Sequence, residues 1–219
     1  MRAGNRAFWQ RVARIYGPVM AKSSGPLYAA VCDRIRPQLG REMEVLELAC
    51  GTGQLSYPLS RQVRRWEATD FSETMIAEAK RKGPPEGLSF SVQDATALPY
   101  GAGRFDAVVI ANALHIMPDP ERALAEIHRV LKPGGMLFAP TFVHGGPPGA
   151  RLRVRLMALA GFRTYHTWQA EEFAAYVGGR GFVVLDKTVL RGGLMPLCCL
   201  VARMVPEEGS PRQKPPKSV

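Results

Sequence analysis

The chain has 219 residues, of which 46% are hydrophobic, and a formal net charge of +10 at pH 7. This length predicts one globular domain with a full core, and no apolar run approaches the ~18 residues of a membrane-spanning helix. Residues 1–10 contain no apolar signal-peptide core, so we expect a cytoplasmic protein with reduced thiols at Cys32, Cys50, Cys198 and Cys199.

The N-terminal segment predicts two helices. Residues 5–22 carry apolar side chains at helical spacing. Gly25-Pro26 is expected to end this helix, because proline lacks the N–H group that a helix needs. A second helix is then predicted over residues 27–39.

A buried strand and a tight turn are predicted next. An apolar run interrupted by Glu47 ends in Gly51-Thr52-Gly53, and a helix is expected to begin near Gln54. Glycine has no Cβ, so the backbone can turn sharply there and let a ligand approach. The first N–H groups of the new helix face such a ligand. A dinucleotide-binding fingerprint would need a third glycine where this chain has Ser56.

Strands and helices alternate over the next part of the chain. The second strand ends at an acid, Asp70, which can accept both hydroxyls of a ribose, and Ser72 is a candidate N-cap for the helix that follows. The predicted elements are strands at 65–70, 88–93, 105–111 and 136–141 and a helix at 120–131.

The C-terminal part predicts a Gly/Pro-rich loop at 145–149 and two final strands. The last strand is expected to run antiparallel, because Arg191-Gly192-Gly193 is too short for a parallel crossover. The other predicted elements are a helical stretch at 150–161, a helix at 168–177 capped by Thr167, strands at 181–189 and 195–205, and a disordered tail at 206–219.

The pattern Glu47-x-Ala49-x-Gly51-x-Gly53 resembles motif I of class I S-adenosylmethionine (SAM) methyltransferases, with alanine at its first glycine. From residue 45 to 144 the series of motifs is similar to the small-molecule methyltransferases related to the ubiquinone/menaquinone biosynthesis enzymes. The resemblance implies an α/β, Rossmann-like fold: a seven-stranded, mostly parallel sheet with helices on both faces and the last strand antiparallel. It also implies a single domain over 1–205, with a helical cap at 1–40 and a lid region at 145–178.

The resemblance further implies that the chain binds SAM and releases S-adenosylhomocysteine. The turn backbone is expected beside the methionine and ribose, and Glu47 at the amino-acid end. Asp70 is expected on the ribose, Asp94 on the adenine amino group, and Asn112 near the methionine. The expected cofactor-binding set is Glu47, Ala49, Cys50, Gly51, Thr52, Gly53, Asp70, Phe71, Met75, Asp94, Ala95 and Asn112.

The acceptor side offers fewer signals. SAM releases a neutral thioether, so the protein need only align the reactants, exclude water and in some cases remove a proton. His115, after the fourth strand, is the first base candidate and His144 the second. Tyr16 is a further candidate from the cap, and no metal is expected.

Several acceptors and functions stay open. The acceptor could be a quinone-type ring carbon, a thiol or a lipid amine. Residues 1–32 and 145–170 carry basic residues and no acid, which favours an anionic acceptor or membrane surface, or simply a solvated face. The alternatives are an RNA-binding or non-catalytic SAM-binding protein, although no nucleic-acid-binding motif is present, and an NAD(P)-dependent oxidoreductase, which the missing Tyr-x-x-x-Lys pair disfavours.

Overall fold

The computed structural model describes residues 3–144, 162–191 and 195–206, without the side chains at 3–4, 6–7 and 15–23. The predicted helical stretch at 150–161, much of the lid region, Gly192-Gly193 and nearly all of the tail therefore lie outside the described residues. Within the described part of the chain, no helix is both long and apolar enough to cross a lipid bilayer.

The N-terminal segment forms one helix, so the predicted break at Gly25-Pro26 is wrong. Helix α1 runs over Ala3–Ile35, and a 3₁₀ turn follows at Arg36–Gln38. An interior proline costs a helix about 3 kcal/mol. Downstream of it, α1 buries Leu27, Val31 and Ile35. Burying an aliphatic side chain of this size stabilises by ~1.5–3 kcal/mol, so these three contacts together outweigh the local penalty.

The sheet has eight strands in the described residues. The strands are β1 (Glu44–Leu48), β2 (Arg65–Asp70), β3 (Leu88–Val92), β4 (Phe105–Ile110), β5 (Leu131–Phe138), β6 (Thr141–Phe142), β7 (Phe182–Leu190) and β8 (Leu197–Met204). Strands β3, β2, β1, β4 and β5 lie side by side in that order and are parallel. Strand β8 pairs antiparallel with β5, β6 and β7, which confirms the predicted direction of the last strand.

The eighth strand arises from an interruption that the sequence analysis missed. The predicted strand at 136–141 begins earlier, at Leu131, and divides into β5 and β6. Both parts pair with β8 in one continuous register, Phe138 with Val201 and Thr141 with Cys198. Pro140 lies between them and has no N–H group to donate to a neighbouring strand. The sheet is thus the expected one with one strand interrupted.

Helices cover both faces of the sheet, as expected. Besides α1, the helices of the described residues are α2 (Ser56–Leu59), α3 (Glu73–Lys80), α4 (Pro120–Val130) and α5 (Ala170–Gly178). Along β4, Ala107 and Val109 pack into one core with α1 and α3, whereas Val108 and Ile110 pack into the other with α4 and α5. Alternate side chains of a strand point to opposite faces, so a strand that is apolar throughout belongs between two helical layers.

Two helix-capping residues were predicted, and only one is confirmed. Ser72 caps α3, accepting a hydrogen bond from the Met75 N–H. Helix α5 begins at Ala170, later than predicted, and its cap is Gln169 instead of Thr167. The Glu172 carboxylate accepts from the Gln169 N–H at 2.8 Å, which completes a reciprocal capping box that Thr167 is too far away to form.

Candidate functional site

A cavity opens at the carboxyl ends of β1, β2 and β4. In open α/β sheets this edge is where ligands bind, because the strands end there and the helices begin. Six of the twelve predicted cofactor-binding residues line it, together with two residues of α1 and the turn after β4. The lining residues are Asn5, Trp9, Ala49, Gly51, Asp70, Phe71, Met75, Ala111, Asn112, Ala113, Ile116 and Met117.

The turn after β1 has the left-handed backbone that its glycines predicted. The φ angles are 57° at Gly51 and 85° at Gly53, and Ala49 also has a positive φ of 54°. That conformation is unfavourable for alanine, so the surrounding hydrogen bonds must hold it. One of them is donated by the Cys50 N–H to the Thr69 carbonyl at 2.9 Å. The turn therefore places Ala49 and Gly51, the second of which has only backbone atoms, on the cavity wall.

Gly53 is required for packing as well as for its backbone angle. A Cβ added at this position would lie 2.9 Å from two ring carbons of Tyr57 and 3.3 Å from Phe90. Gly53 itself, like Cys50 and Thr52, does not line the cavity.

Glu47 lies behind this turn and does not line the cavity. Its side chain is 2% exposed. The Ser56 hydroxyl donates to Glu47 Oε2 at 2.5 Å, and the Trp66 indole N–H donates to the same oxygen at 2.8 Å. Burial raises the pKa of Glu47 to about 7, although both hydrogen bonds oppose the shift. Glu47 thus links β1, β2 and the start of α2. Ser56, at the position of the missing third glycine, supplies a hydroxyl to this network.

Asp70 joins the turn to the cavity. The Gly51 N–H donates to Asp70 Oδ2 at 2.9 Å, and the Ser72 N–H donates to Oδ1 at 2.8 Å. Each carboxylate oxygen accepts up to two hydrogen bonds, so each keeps capacity for a ligand hydroxyl. Burial raises the pKa of Asp70 to about 6. Asp70, Phe71 and Met75 form one wall of the cavity.

Asn112 forms the opposite wall. It has a φ of 52°, and its backbone N–H donates to the Pro140 carbonyl at 2.7 Å. The side-chain amide donates to the Tyr28 hydroxyl of α1 at 3.3 Å. Its Oδ1 atom is buried and has no hydrogen-bond partner among the described residues. Asn112 therefore presents an unused acceptor in a residue that lines the cavity.

Asn5 is a cavity residue that the sequence analysis missed. Its side-chain amide donates to the carbonyls of Ile116 at 2.9 Å and Arg163 at 3.0 Å, and its Oδ1 accepts from the Arg163 N–H at 2.9 Å. One turn later, Trp9 lines the cavity and contacts Phe162 edge-on at 5.9 Å. The sequence feature that could have identified Asn5 as a candidate site residue is a polar side chain on an otherwise apolar helix face. Its partners, however, are far away in sequence.

Asp94 and Ala95 follow β3 and do not line the cavity. The Thr96 N–H and hydroxyl both donate to Asp94 Oδ1, at 2.9 and 2.8 Å. Burial opposes ionisation there, but these hydrogen bonds hold the pKa of Asp94 below its usual value. Asp94 stays charged, and its predicted contact with adenine remains a prediction.

Neither of the two predicted histidine bases lines the cofactor cavity. His115 is buried, in the 3₁₀ turn Leu114–Ile116, and burial lowers its pKa to about 4, with a further contribution from His166. His144 is exposed and lines a second cavity with Gln169 and Arg191. Tyr16 lies in α1, but its side chain is outside the described residues. In the described part of the chain, no three His, Cys, Asp or Glu side chains cluster as metal ligands.

Comparison with known proteins gives consistent matches. Residues 46–139 match the family described as "Methyltransferase domain". The chain is 30% identical to the ubiquinone/menaquinone biosynthesis C-methyltransferase UbiE of Methylobacterium nodulans over 215 residues, 85% of each chain. It is 43% identical to the demethylmenaquinone methyltransferase of Renibacterium salmoninarum over 100 residues, 46% of this chain and 41% of that relative. Several of the curated relatives it matches are thus covered over less than half of their length.

The fold is also found among solved structures. A SAM-dependent methyltransferase from Thermotoga maritima superposes with a TM-score of 0.70 at 20% sequence identity, and the match covers 91% of this chain and 98% of that one. This match shows that the two proteins share the same fold.

Proposed function

Because the chain belongs to the family of class I SAM-dependent methyltransferases related to UbiE, we propose that it transfers a methyl group from SAM to a small, largely apolar acceptor. The observation that carries the proposal is the pairing of Gly51 and Asp70. The turn backbone and a buried carboxylate meet at the carboxyl ends of β1 and β2, joined by a 2.9 Å hydrogen bond, and both face the same cavity.

Three features of this cavity support the cofactor proposal. Asp70 would hold the ribose, because each of its oxygens can accept a further hydrogen bond from a hydroxyl. Phe71 and Met75 give an apolar surface for the adenine ring. Asn112 would hold the amino group of the methionine part, because its Oδ1 has no other hydrogen-bond partner among the described residues. Ala49 and Gly51 bring the backbone close enough for the cofactor to lie along the turn.

In this reaction the chain aligns two reactants. Bound SAM would supply an electrophilic methyl group: the acceptor's electron pair would form a bond to the methyl carbon while the carbon–sulfur bond broke, and the pair left on sulfur would make it a neutral thioether. A neutral acceptor becomes positively charged and then loses one proton. His115, His144 and Tyr16 are the proposed proton-handling residues.

Among the open acceptors we propose a quinone-type ring carbon, since relatives are named as ubiquinone/menaquinone biosynthesis and demethylmenaquinone methyltransferases. A cytoplasmic location and a peripheral contact with an anionic membrane belong to the same proposal. The net charge of +10 supports the membrane contact. Sedimentation with phosphatidylglycerol vesicles tests it.

Titration calorimetry tests the cofactor proposal. We expect SAM and S-adenosylhomocysteine to bind and NADH not to bind. Asp70→Ala should weaken the binding of S-adenosylhomocysteine by about 1–3 kcal/mol, which is the usual effect of leaving a hydrogen-bonding group unpaired. The control is Asp186→Asn, at an exposed carboxylate that pairs with Arg34, which should bind normally. Binding of NADH instead of SAM would overturn the proposal in favour of the oxidoreductase.

Methyl transfer is tested with methyl-labelled SAM and one acceptor of each open class. The acceptors are 1,4-naphthalenediol for a ring carbon, 2-mercaptoethanol for a thiol and phosphatidylethanolamine for a lipid amine. We expect the label on the naphthalene ring. Binding of SAM without transfer to any acceptor would favour the non-catalytic alternative.

A further inference from the structure

Two buried imidazole nitrogens outside the cofactor cavity have no hydrogen-bond partner among the described residues. They are His115 Nδ1 and His166 Nε2. More than about nine in ten buried polar groups in proteins are hydrogen-bonded, so two such atoms in neighbouring residues call for a shared explanation. The residues are neighbours because the N–H groups of Tyr165 and His166 both donate to the His115 carbonyl at 3.0 Å.

Both rings are held in place by aromatic contacts. The His166 ring stacks parallel to Trp168, with 5.1 Å between centroids and 6° between planes. Trp168 is in turn packed against Phe173 of α5 at 5.2 Å. The His115 ring meets Phe142 edge-on at 6.2 Å. These contacts fix the orientation of both rings.

The pair lies beside the proposed cofactor site. Ala113, which caps the turn that contains His115, and Ile116, the last residue of that turn, line that cavity, but His115 does not. Asn5 ties the two parts together, since its amide bonds both the Ile116 carbonyl and the backbone of Arg163, three residues before His166. A group bound by the two histidines would therefore sit next to the cofactor without competing for its cavity.

The hydrogen-bonding capacity of the pair suits a group that can both donate and accept. A neutral imidazole has one N–H donor and one nitrogen acceptor. His115 is neutral at pH 7, because burial, and secondly His166, lowers its pKa to about 4. One ring can then donate while the other accepts. A hydroxyl group does both at once, whereas a carbonyl or ether oxygen can only accept.

We propose that His115 and His166 together bind a hydroxyl group of the methyl acceptor. The proposal rests on the proposed function, and it assigns two residues to the recognition of an acceptor hydroxyl. His166 becomes a residue of the acceptor site, and His115 orients the acceptor through a hydrogen bond.

The test uses protein saturated with S-adenosylhomocysteine, titrated anaerobically with 1,4-naphthalenediol and with 1,4-dimethoxynaphthalene, which has the same ring and no hydroxyl. We expect the diol to bind at least tenfold more tightly to the wild-type protein. This preference should disappear in His115→Phe and His166→Phe and return in part in His166→Gln, which keeps a donor and an acceptor. The control is His128→Gln, because His128 bonds the Val205 carbonyl far from this pair, and it should keep the preference.

Kinetics give a second measurement. With SAM as methyl donor, His166→Phe should raise KM for the diol at least tenfold and leave KM for SAM unchanged. A purely structural role would instead change both values and the thermal midpoint.

The outcomes separate the two proposals. If S-adenosylhomocysteine does not bind the wild-type protein, the proposed function itself fails. If it binds normally but the diol and its dimethyl ether bind equally well, the two histidines hold only water or pack structurally, and the further inference is overturned. The comparison of the two ligands on the wild-type protein decides this even if the phenylalanine variants do not fold.

Discussion

Because the carboxyl group of Glu47 is buried, we expect the free energy of unfolding of the protein to fall as pH rises. Its pKa is raised from 4.5 to about 7 in the folded protein, so the folded state binds this proton more tightly than the unfolded state. The stabilisation is fully present below about pH 4.5 and is lost as pH rises through 7. Each tenfold change in proton affinity is worth about 1.4 kcal/mol, so the free energy of unfolding should fall by about 3 kcal/mol across this range.

The perturbation that isolates this effect is Glu47→Gln. Glutamine has nearly the same shape, carries no charge at any pH, and its carbonyl oxygen can still accept from Ser56 and Trp66. Urea unfolding of the ligand-free protein at pH 5, 6, 7 and 8, followed by tryptophan fluorescence, gives the free energy of unfolding. We expect the wild-type protein to lose about 2–3 kcal/mol more than the variant between pH 5 and 8.

Two comparisons make the test specific. The pKa of Asp70 is raised to about 6, so its own contribution is mostly lost by pH 7 and persists in the Glu47→Gln variant. Glu86→Gln, at an exposed position, should keep the wild-type pH dependence. If the wild-type protein and Glu47→Gln lose stability in parallel from pH 5 to 8, Glu47 is ionised in the folded protein and the reasoning is refuted.

Three other measurements check the site. The affinity of the protein for S-adenosylhomocysteine should fall as pH is lowered through about 6, because the protonated carboxyl of Asp70 accepts ribose hydroxyls less well. Calorimetry should find that Asp70→Asn binds S-adenosylhomocysteine more weakly than the wild-type protein and that its affinity lacks this pH dependence. In urea unfolding, Gly53→Ala should lower the free energy of unfolding by about 1–3 kcal/mol more than Gly83→Ala does. Both glycines have a positive φ, but only at Gly53 would an added Cβ lie 2.9 Å from ring carbons. Equal losses of stability would contradict the packing argument. Asn5→Ala should speed hydrogen exchange in residues 162–166, because it removes the hydrogen bonds at Arg163; unchanged exchange there would mean that other contacts hold the segment.

The local sequence determined the turn, the strands around it and the acid at the end of β2. Strand β2 has the predicted bounds, Arg65–Asp70, and Ser72 caps the helix after it. These features depend on residues within a few positions of one another: alternating or continuous apolar runs, a glycine pair that permits positive φ, and a side chain that can cap a helix. Such preferences act before any distant segment is in place, so they can be read from the chain.

Only the tertiary structure decided how distant segments meet. Helix α1 continues through Gly25-Pro26 because its apolar face is buried against the sheet, and no local pattern reports that burial. Asn5 finds its partners 111 and 158 residues away, and His115 meets His166 only because β4 and the segment before α5 are adjacent in the fold. Hydrogen bonds between groups so far apart in sequence form only when the packed core brings them together, and that core sums many weak contacts along the whole chain.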